Sequence, residues 1–245
     1  LALLKPFIQE AVEMGVQQLS FTGGEPFVIR DFVSILDYAS QHKPCFVLTN
    51  GTRVVMQRRH QILPLLTNPH PIHFRISLDY PDAVRHDAGR GEGSFAESLD
   101  CIRWLHDSGF KVSIARQTDP GEDPQAVEAQ FREIFRAHGI PDSLLFTSFP
   151  DLGTPGSEDG SPEVTETCME KYPSRDSRAH FMCTYTRMLV NTDRGVRVYA
   201  CTLVDDDPGY DLGGTLRESM DTRIMLRHPR CFSCYRFGAS CSAPG

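Results

Sequence analysis

Long apolar runs are missing from this sequence of 245 residues. Its uninterrupted apolar stretches last only a few residues, against the roughly 20 that a bilayer-spanning helix needs, so no membrane partner is expected. An excess of positive charge is missing too. Lys and Arg number 25 against 32 Asp and Glu, a formal charge of −7. That balance removes the usual electrostatic reason to expect nucleic acid or an anionic surface as partner. There is no GxSxG elbow, no Walker A loop and no GxGxxG turn, so serine-hydrolase, P-loop and dinucleotide chemistry have no motif to rest on. No basic, apolar-cored leader opens the chain, and the cytoplasm is the expected compartment.

What is present is an ordinary globular composition, 40% apolar and 23% charged, enough for one domain or for one large and one small. Eight cysteines are spread unevenly. Cys45, Cys101 and Cys168 are scattered, whereas Cys183, Cys201, Cys231, Cys234 and Cys241 crowd the C-terminal part. Clustered cysteines without a secretory leader point to metal ligands more than to disulfides.

The first 150 residues alternate between two periods. Leu4, Phe7, Ile8, Ala11 and Val12 recur at helical spacing, with Pro6 in a first turn and Gly15 where a helix stops. A strand over Val16–Thr22 follows, then a helix over Asp31–Ser40 and a strand over Cys45–Leu48. A helix is expected over Val54–Leu66 and a strand over Ile72–Leu78. Further on come a helix through Phe95, Leu99 and Ile102, a strand over Lys111–Arg116, a helix through Val127, Phe131 and Phe135, and a strand over Leu144–Phe149. Five strands alternating with helices predict an α/β fold with a parallel sheet. Between 151 and 178 the composition turns to Gly, Pro, Ser, Asp and Glu, the signature of a linker. Beyond it, Met188–Asn191 and Val196–Tyr199 predict a hairpin, and Leu216–Arg227 a helix.

Ligands of parallel α/β folds sit at the carboxyl ends of the strands. Those ends carry Phe21-Thr22-Gly23-Gly24-Glu25-Pro26-Phe27, Leu48-Thr49-Asn50-Gly51 and Ile76-Ser77-Leu78-Asp79. The glycine pair lets backbone approach a ligand, because no Cβ intervenes. His86-Asp87-Ala88-Gly89-Arg90-Gly91-Glu92-Gly93-Ser94-Phe95 follows. Taken together, this set resembles the radical S-adenosylmethionine (SAM) superfamily, and the last stretch resembles its members with a C-terminal SPASM or twitch cluster domain. The resemblance implies a partial (β/α)6 barrel. It also implies a cofactor-binding set of Gly23, Gly24, Glu25, Pro26, Asn50, Ser77 and Arg90. Within it Gly23, Gly24 and Glu25 would hold the SAM ammonium, Ser77 the ribose region and Arg90 the carboxylate, to which a guanidinium fork is suited. Arg85 is the competing cation and is expected to be a solvated surface group. His70-x2-His73 has a spacing that could ligate a metal, but the pair is expected rather to cap or solvate a strand entry.

The CxxxCxxC loop that defines that family is absent from the sequence. In the family it precedes the first helix, so the expectation is a chain lacking the first strand and that loop. The SAM-binding [4Fe–4S] cluster is then expected only in a longer protein.

The C-terminal cysteines form a second constellation. One pair flanks the hairpin and Cys231-x2-Cys234 makes the other, two half-sites able to converge on an S4 site for zinc or for an iron–sulfur cluster. The resemblance implies an auxiliary [4Fe–4S] cluster on Cys183, Cys201, Cys231 and Cys234, with Cys241 as a further candidate. Gly195 stands between the first two cysteines, as in the family, though five residues rather than four separate it from Cys201. The expected organisation is a barrel over 1–150, a linker over 151–178 and a small hairpin-and-helix cluster domain over 179–245.

By that resemblance the protein is an oxidoreductase that generates a 5′-deoxyadenosyl radical. It would abstract hydrogen from a small molecule or a ribosomal peptide, with electrons from flavodoxin or ferredoxin. The competing expectation is a non-catalytic scaffold module holding zinc or one cluster.

Overall fold

The computed structural model describes residues 1–119, 121–150, 181–231 and 234. The expected linker over 151–178 and the thiols of Cys168 and Cys241 lie outside the described residues. The chain divides into two compact units, one reaching through residue 150 and the other comprising the described residues from 181 onward.

The first unit opens on helix α1 (Lys5–Glu13), with Pro6 in its first turn, and Gly15 at φ 81° turns the chain out of it. Strands β1 (Leu19–Phe21), β2 (Cys45–Thr49), β3 (Ile72–Ser77), β4 (Lys111–Thr118) and β5 (Leu145–Pro150) form one sheet in chain order. Every neighbouring pair is parallel. Among the described strands, β1 pairs with β2 alone. The intervening helices are α2 (Phe32–Ser40), α3 (Arg53–Met56), α4 (Arg59–Ile62), α5 (Ala83–Arg90), α6 (Ser94–Asp107) and α7 (Pro124–Ala137).

Strand side chains alternate between two faces. Cys45, Val47, Ile72, Phe74, Ile76 and Ile114 point to the helices and join the core with Leu36, Val55, Leu99, Ile102 and Phe131. Helix α7 shows how the sequence sets this packing. Asp123 accepts the N–H groups of Gln125 and Ala126 at its start, Pro124 presets the first turn, and Phe131 and Phe135 one turn apart are fully buried. The other sheet face carries Phe46, His73, Arg75, Ser77, Ser113 and Ala115, as the register aligns them.

One expected helix is broken. Val54–Leu66 is not continuous but splits into α3, α4 and a 3-10 turn over Leu63–Thr67. Arg58 marks the first break, its guanidinium donating to the carbonyls of Ile29 and Arg30. Pro64 lies in the first turn of the 3-10 segment, where its missing N–H costs no helical bond. The apolar spacing survived the break, which is why the pattern looked continuous.

The second unit holds helix α8 (Met182–Tyr185) and the antiparallel hairpin of β6 (Met188–Thr192) and β7 (Gly195–Tyr199). A third extended segment joins the hairpin, with Leu212 N–H donating to Val198 O and Val198 N–H to Gly213 O. Helix α9 spans only Leu216–Met220, capped by the Thr215 hydroxyl. The expected continuation to Arg227 does not form, because Ile224 and Leu226 both pack on the unit's own core from non-helical backbone. Among the described residues no helix is long and apolar enough to cross a membrane.

Candidate functional site

The carboxyl ends of β1, β2 and β3 meet through hydrogen bonds made by motif residues. Gly23 has φ +140°, and a Cβ placed on Gly23 or Gly24 would meet no atom within 4 Å. Their backbone therefore faces open space, as a ligand cradle requires. Glu25 behaves differently. Its carboxylate accepts Phe27 N–H at 3.1 Å, Asn50 N–H at 2.7 Å and the Thr49 hydroxyl at 2.8 Å. The same hydroxyl accepts Gly51 N–H at 3.2 Å. A carboxylate has about four lone-pair sites, so three are committed to tying the glycine loop onto the end of β2. Pro26 is buried and opens the short turn Pro26–Val28, which seats Phe27 in the core. Gly51 is obligatory at φ +67°, where a Cβ would stand 2.8 Å from Ile76 Cγ2.

Arg90, at the end of α5, is drawn into the same network. Its Nε and Nη2 donate to the two oxygens of Asp79, at 2.5 and 3.1 Å, and Nη1 donates to Asn50 Oδ1 at 2.6 Å. Three of five guanidinium N–H groups are thus engaged and two remain. Asp79 N–H in turn donates to His86 Nδ1 at 3.3 Å, which leaves the proton of a neutral imidazole on Nε2. His86 is fully buried, and burial holds its pKa below the ordinary value. Asp79 and His86 stood inside the quoted motifs, yet spacing alone did not single them out as functional. Ser77 is the last residue of β3, on the same face as His73 and Arg75 and in register with Ala115.

Arg85 is the exposed surface group expected, its side chain 51% exposed, and there it pairs with Asp119 at 2.5 Å and lies 3.8 Å over the Tyr80 ring. His73 does stand at the entry of β3, as its second residue, but half-buried rather than solvated. It sits on the inner sheet face, Nε2 2.8 Å from Ser113 Oγ, while Arg75 Nε donates to the same oxygen at 3.0 Å. Burial, then Arg75 and Lys111, push the His73 pKa down to about 4. Kept neutral, His73 shares a hydrogen bond with the Ser113 hydroxyl there.

In the second unit Cys183, Cys201, Cys231 and Cys234 line one cavity, whose other walls include Phe181, Met182, Leu203, Val204, Ile224 and Tyr210. Cys183 belongs to α8, Cys201 follows β7, and the other two lie on the last described segment. Burial raises all four thiol pKa values, that of Cys183 to about 11 and that of Cys201 to about 12. Backbone N–H groups of Leu203 and Met182 support the sulfurs of Cys201 and Cys234. Among the described residues no three His, Cys, Asp or Glu side chains converge on a point suited to a single metal ion. The four thiols surround a space instead. An all-sulfur donor set in an apolar shell fits an iron–sulfur cluster chemically. Cys45 and Cys101 are buried in the core of the first unit.

The family model of the radical SAM superfamily matches residues 3–134. The mycofactocin maturase MftC of Mycolicibacterium smegmatis is 33% identical over 114 residues, 45% of this chain and 28% of that protein. An AdoMet-dependent heme synthase of Nitratidesulfovibrio vulgaris is 30% identical over 112 residues, 45% of this chain and 29% of its own length. The matched stretch thus spans under a third of each of these relatives. Among solved structures, native anSMEcpe with bound AdoMet superposes with a TM-score of 0.61 over 91% of this chain and 71% of that one. At 13% identity that likeness speaks for the fold alone. The family match covers more than half of the 245 residues and falls on the strand-end motifs just described: the chain belongs to the radical SAM superfamily.

Proposed function

We propose that this chain supplies the SAM-binding barrel and an auxiliary cluster unit of a radical SAM oxidoreductase acting on a peptide or a small organic molecule. The strand-end network carries this proposal: an open glycine backbone lies next to a tied Glu25 and to an Arg90 that keeps two N–H groups spare. When bound, SAM and a reduced [4Fe–4S] cluster supply a 5′-deoxyadenosyl radical that takes a hydrogen atom from the substrate.

The chain's own residues do the positioning. Carbonyls of Gly23 and Gly24, with the remaining lone pair of Glu25, receive the methionyl ammonium. Arg90 offers its spare N–H groups to the carboxylate, Ser77 takes the ribose region, and Asn50 is held in place by Arg90 and Glu25. Pro26 fixes the exit of the cradle. In this assignment 1–150 is the barrel, 151–178 the linker and 179–245 the cluster domain. Cys183, Cys201, Cys231 and Cys234 hold the auxiliary [4Fe–4S] cluster, which supplies a one-electron acceptor or a substrate anchor. Flavodoxin or ferredoxin delivers the electrons. The 245 residues contain no CxxxCxxC, so no ligand of the SAM-binding cluster is assigned to them. The relatives' names diverge, a mycofactocin maturase against a heme synthase, which keeps the substrate at the level of class.

The test has two arms. Calorimetry on the chain as given should show SAM binding that Gly24→Val abolishes, since a side chain there fills the open cradle. No binding at millimolar SAM would sink the cofactor assignment. Anaerobic reconstitution with iron and sulfide should give the visible absorbance of a cluster and roughly four irons per chain. Tight uptake of zinc with no iron chromophore would replace the enzyme assignment with a structural metal module.

A further inference from the structure

Of the polar residues around the thiol-lined cavity, Arg230 is paired with Asp206 and the Leu203 carbonyl, while Arg187 and Tyr210 have groups that the assignment above does not use. Arg187 lies between α8 and β6. Its Nη1 donates to the carbonyls of Cys183 and Thr186 at 2.6 and 2.7 Å, closing the end of α8. A helix-capping role accounts for that nitrogen and stops there. Nε is buried and has no hydrogen-bond partner among the described residues, and a buried N–H without an acceptor is destabilising. Nη1 holds the carbonyl of Cys183, and the positive guanidinium favours the anionic form of that residue's sulfur. An orphan donor on a cation at one of the four cysteines is what an anionic sulfur group satisfies.

Tyr210 bears on a second sulfur. It is 3% exposed, and its ring packs edge-on against His228. Its hydroxyl oxygen accepts Arg227 N–H at 3.2 Å, and Cys231 Sγ stands 4.0 Å away. With the oxygen already accepting, the hydroxyl proton is free to donate to that sulfur. Arg187 and Tyr210 thus bear on two of the four cysteines, Cys183 and Cys231.

We propose that Arg187 and Tyr210 are positioning residues that raise the reduction potential of the cluster held by the four cysteines. This rests on the auxiliary-cluster assignment above. Adding one electron to the cluster makes and breaks no bond and adds one negative charge. A fixed cation and an O–H donor favour the more negative state. The cluster is thereby set to accept an electron, which is the role of acceptor rather than of substrate anchor.

Anaerobic, EPR-monitored potentiometric titration of the reconstituted chain with dithionite tests this without any turnover. The set is wild type, Arg187→Gln, Arg187→Lys and Tyr210→Phe, each with its iron and sulfide content measured. All should carry the same iron. The midpoint should shift downward in Arg187→Gln and Tyr210→Phe and return toward wild type in Arg187→Lys, a rescue that mere packing would not produce. Iron-loaded variants with the wild-type midpoint overturn the inference and leave the ligand assignment standing. If Arg187→Gln fails to load, a loaded Tyr210→Phe with an unchanged midpoint is sufficient to overturn it. A wild type that takes up no cluster removes the assignment itself, and the inference with it.

Discussion

Glu25 and Arg90 were both expected to grip SAM directly, and the structure gives each of them a second task. Glu25 accepts from Phe27, Thr49 and Asn50, so its first effect is to hold the glycine loop against β2. Glu25→Ala leaves two backbone N–H groups without an acceptor, and a loss of about 2–4 kcal/mol in folding stability is expected from urea denaturation. An unchanged midpoint would show that the loop holds itself. Arg90 depends on Asp79, whose side chain is 10% exposed and which engages two guanidinium nitrogens. Breaking such a pair from one side costs about 3 kcal/mol. Asp79→Ala should therefore weaken SAM binding by tenfold or more in calorimetry, although Asp79 contacts no ligand in this scheme. Full affinity in that variant would show that Arg90 is placed without it. The motif residues were legible because glycine pairs, Asn-Gly and Ser-x-Asp are local signals. The partnership of Asp79 with Arg90 was not, because it depends on α5 folding back over the end of β3.

At the level of elements, periodicity found every strand of the parallel sheet within a few residues, because each carries its own apolar face. It failed at α3–α4 and beyond α9, where apolar residues keep a spacing that the backbone does not. Two elements carry acid-sensitive contacts in separate pH windows. His73 on β3 is neutral when folded, its pKa lowered to about 4 from 6.5. Its contribution is complete above the unfolded value and is lost as pH falls from about 6.5 toward 4. His73→Gln should flatten the decline of the urea midpoint across that window; an equal slope would assign the decline elsewhere. Asp87 caps α6 from the preceding helix, accepting Gly93 N–H at 2.7 Å and Phe95 N–H at 2.8 Å. Those backbone bonds hold its carboxyl below the usual 3.8. Its contribution is present above that value and is lost only as pH falls below it. Asp87→Asn should therefore destabilise the barrel at pH 7 and leave the acid limb below pH 3.8 shallower, read by circular dichroism. An acid limb as steep as wild type would show that this cap is not what titrates there.

For the whole molecule, the two compact units differ in what holds them together. The barrel unit has an extensive apolar core drawn from its sheet and helices. The described core of the second unit is small and includes Cys201 and Cys234 themselves, with Cys183 and Cys231 packed against it. If the proposed cluster is held there, a small core with the four cysteines in or against it gains stability when they are bridged. The single tryptophan of the sequence, Trp104, lies on α6 of the barrel and packs against that unit's core, so its fluorescence reports the barrel alone. Cluster absorbance reports the second unit. Heating the reconstituted chain should bleach the absorbance and unfold Trp104 in two separate steps. Cys231→Ser with Cys234→Ser should abolish iron binding and lower the second unit's transition by circular dichroism, with the Trp104 transition unmoved. A Trp104 signal that follows the bleaching step for step would mean that the two units unfold as one. The auxiliary thiols would then stabilise the barrel as well as their own unit.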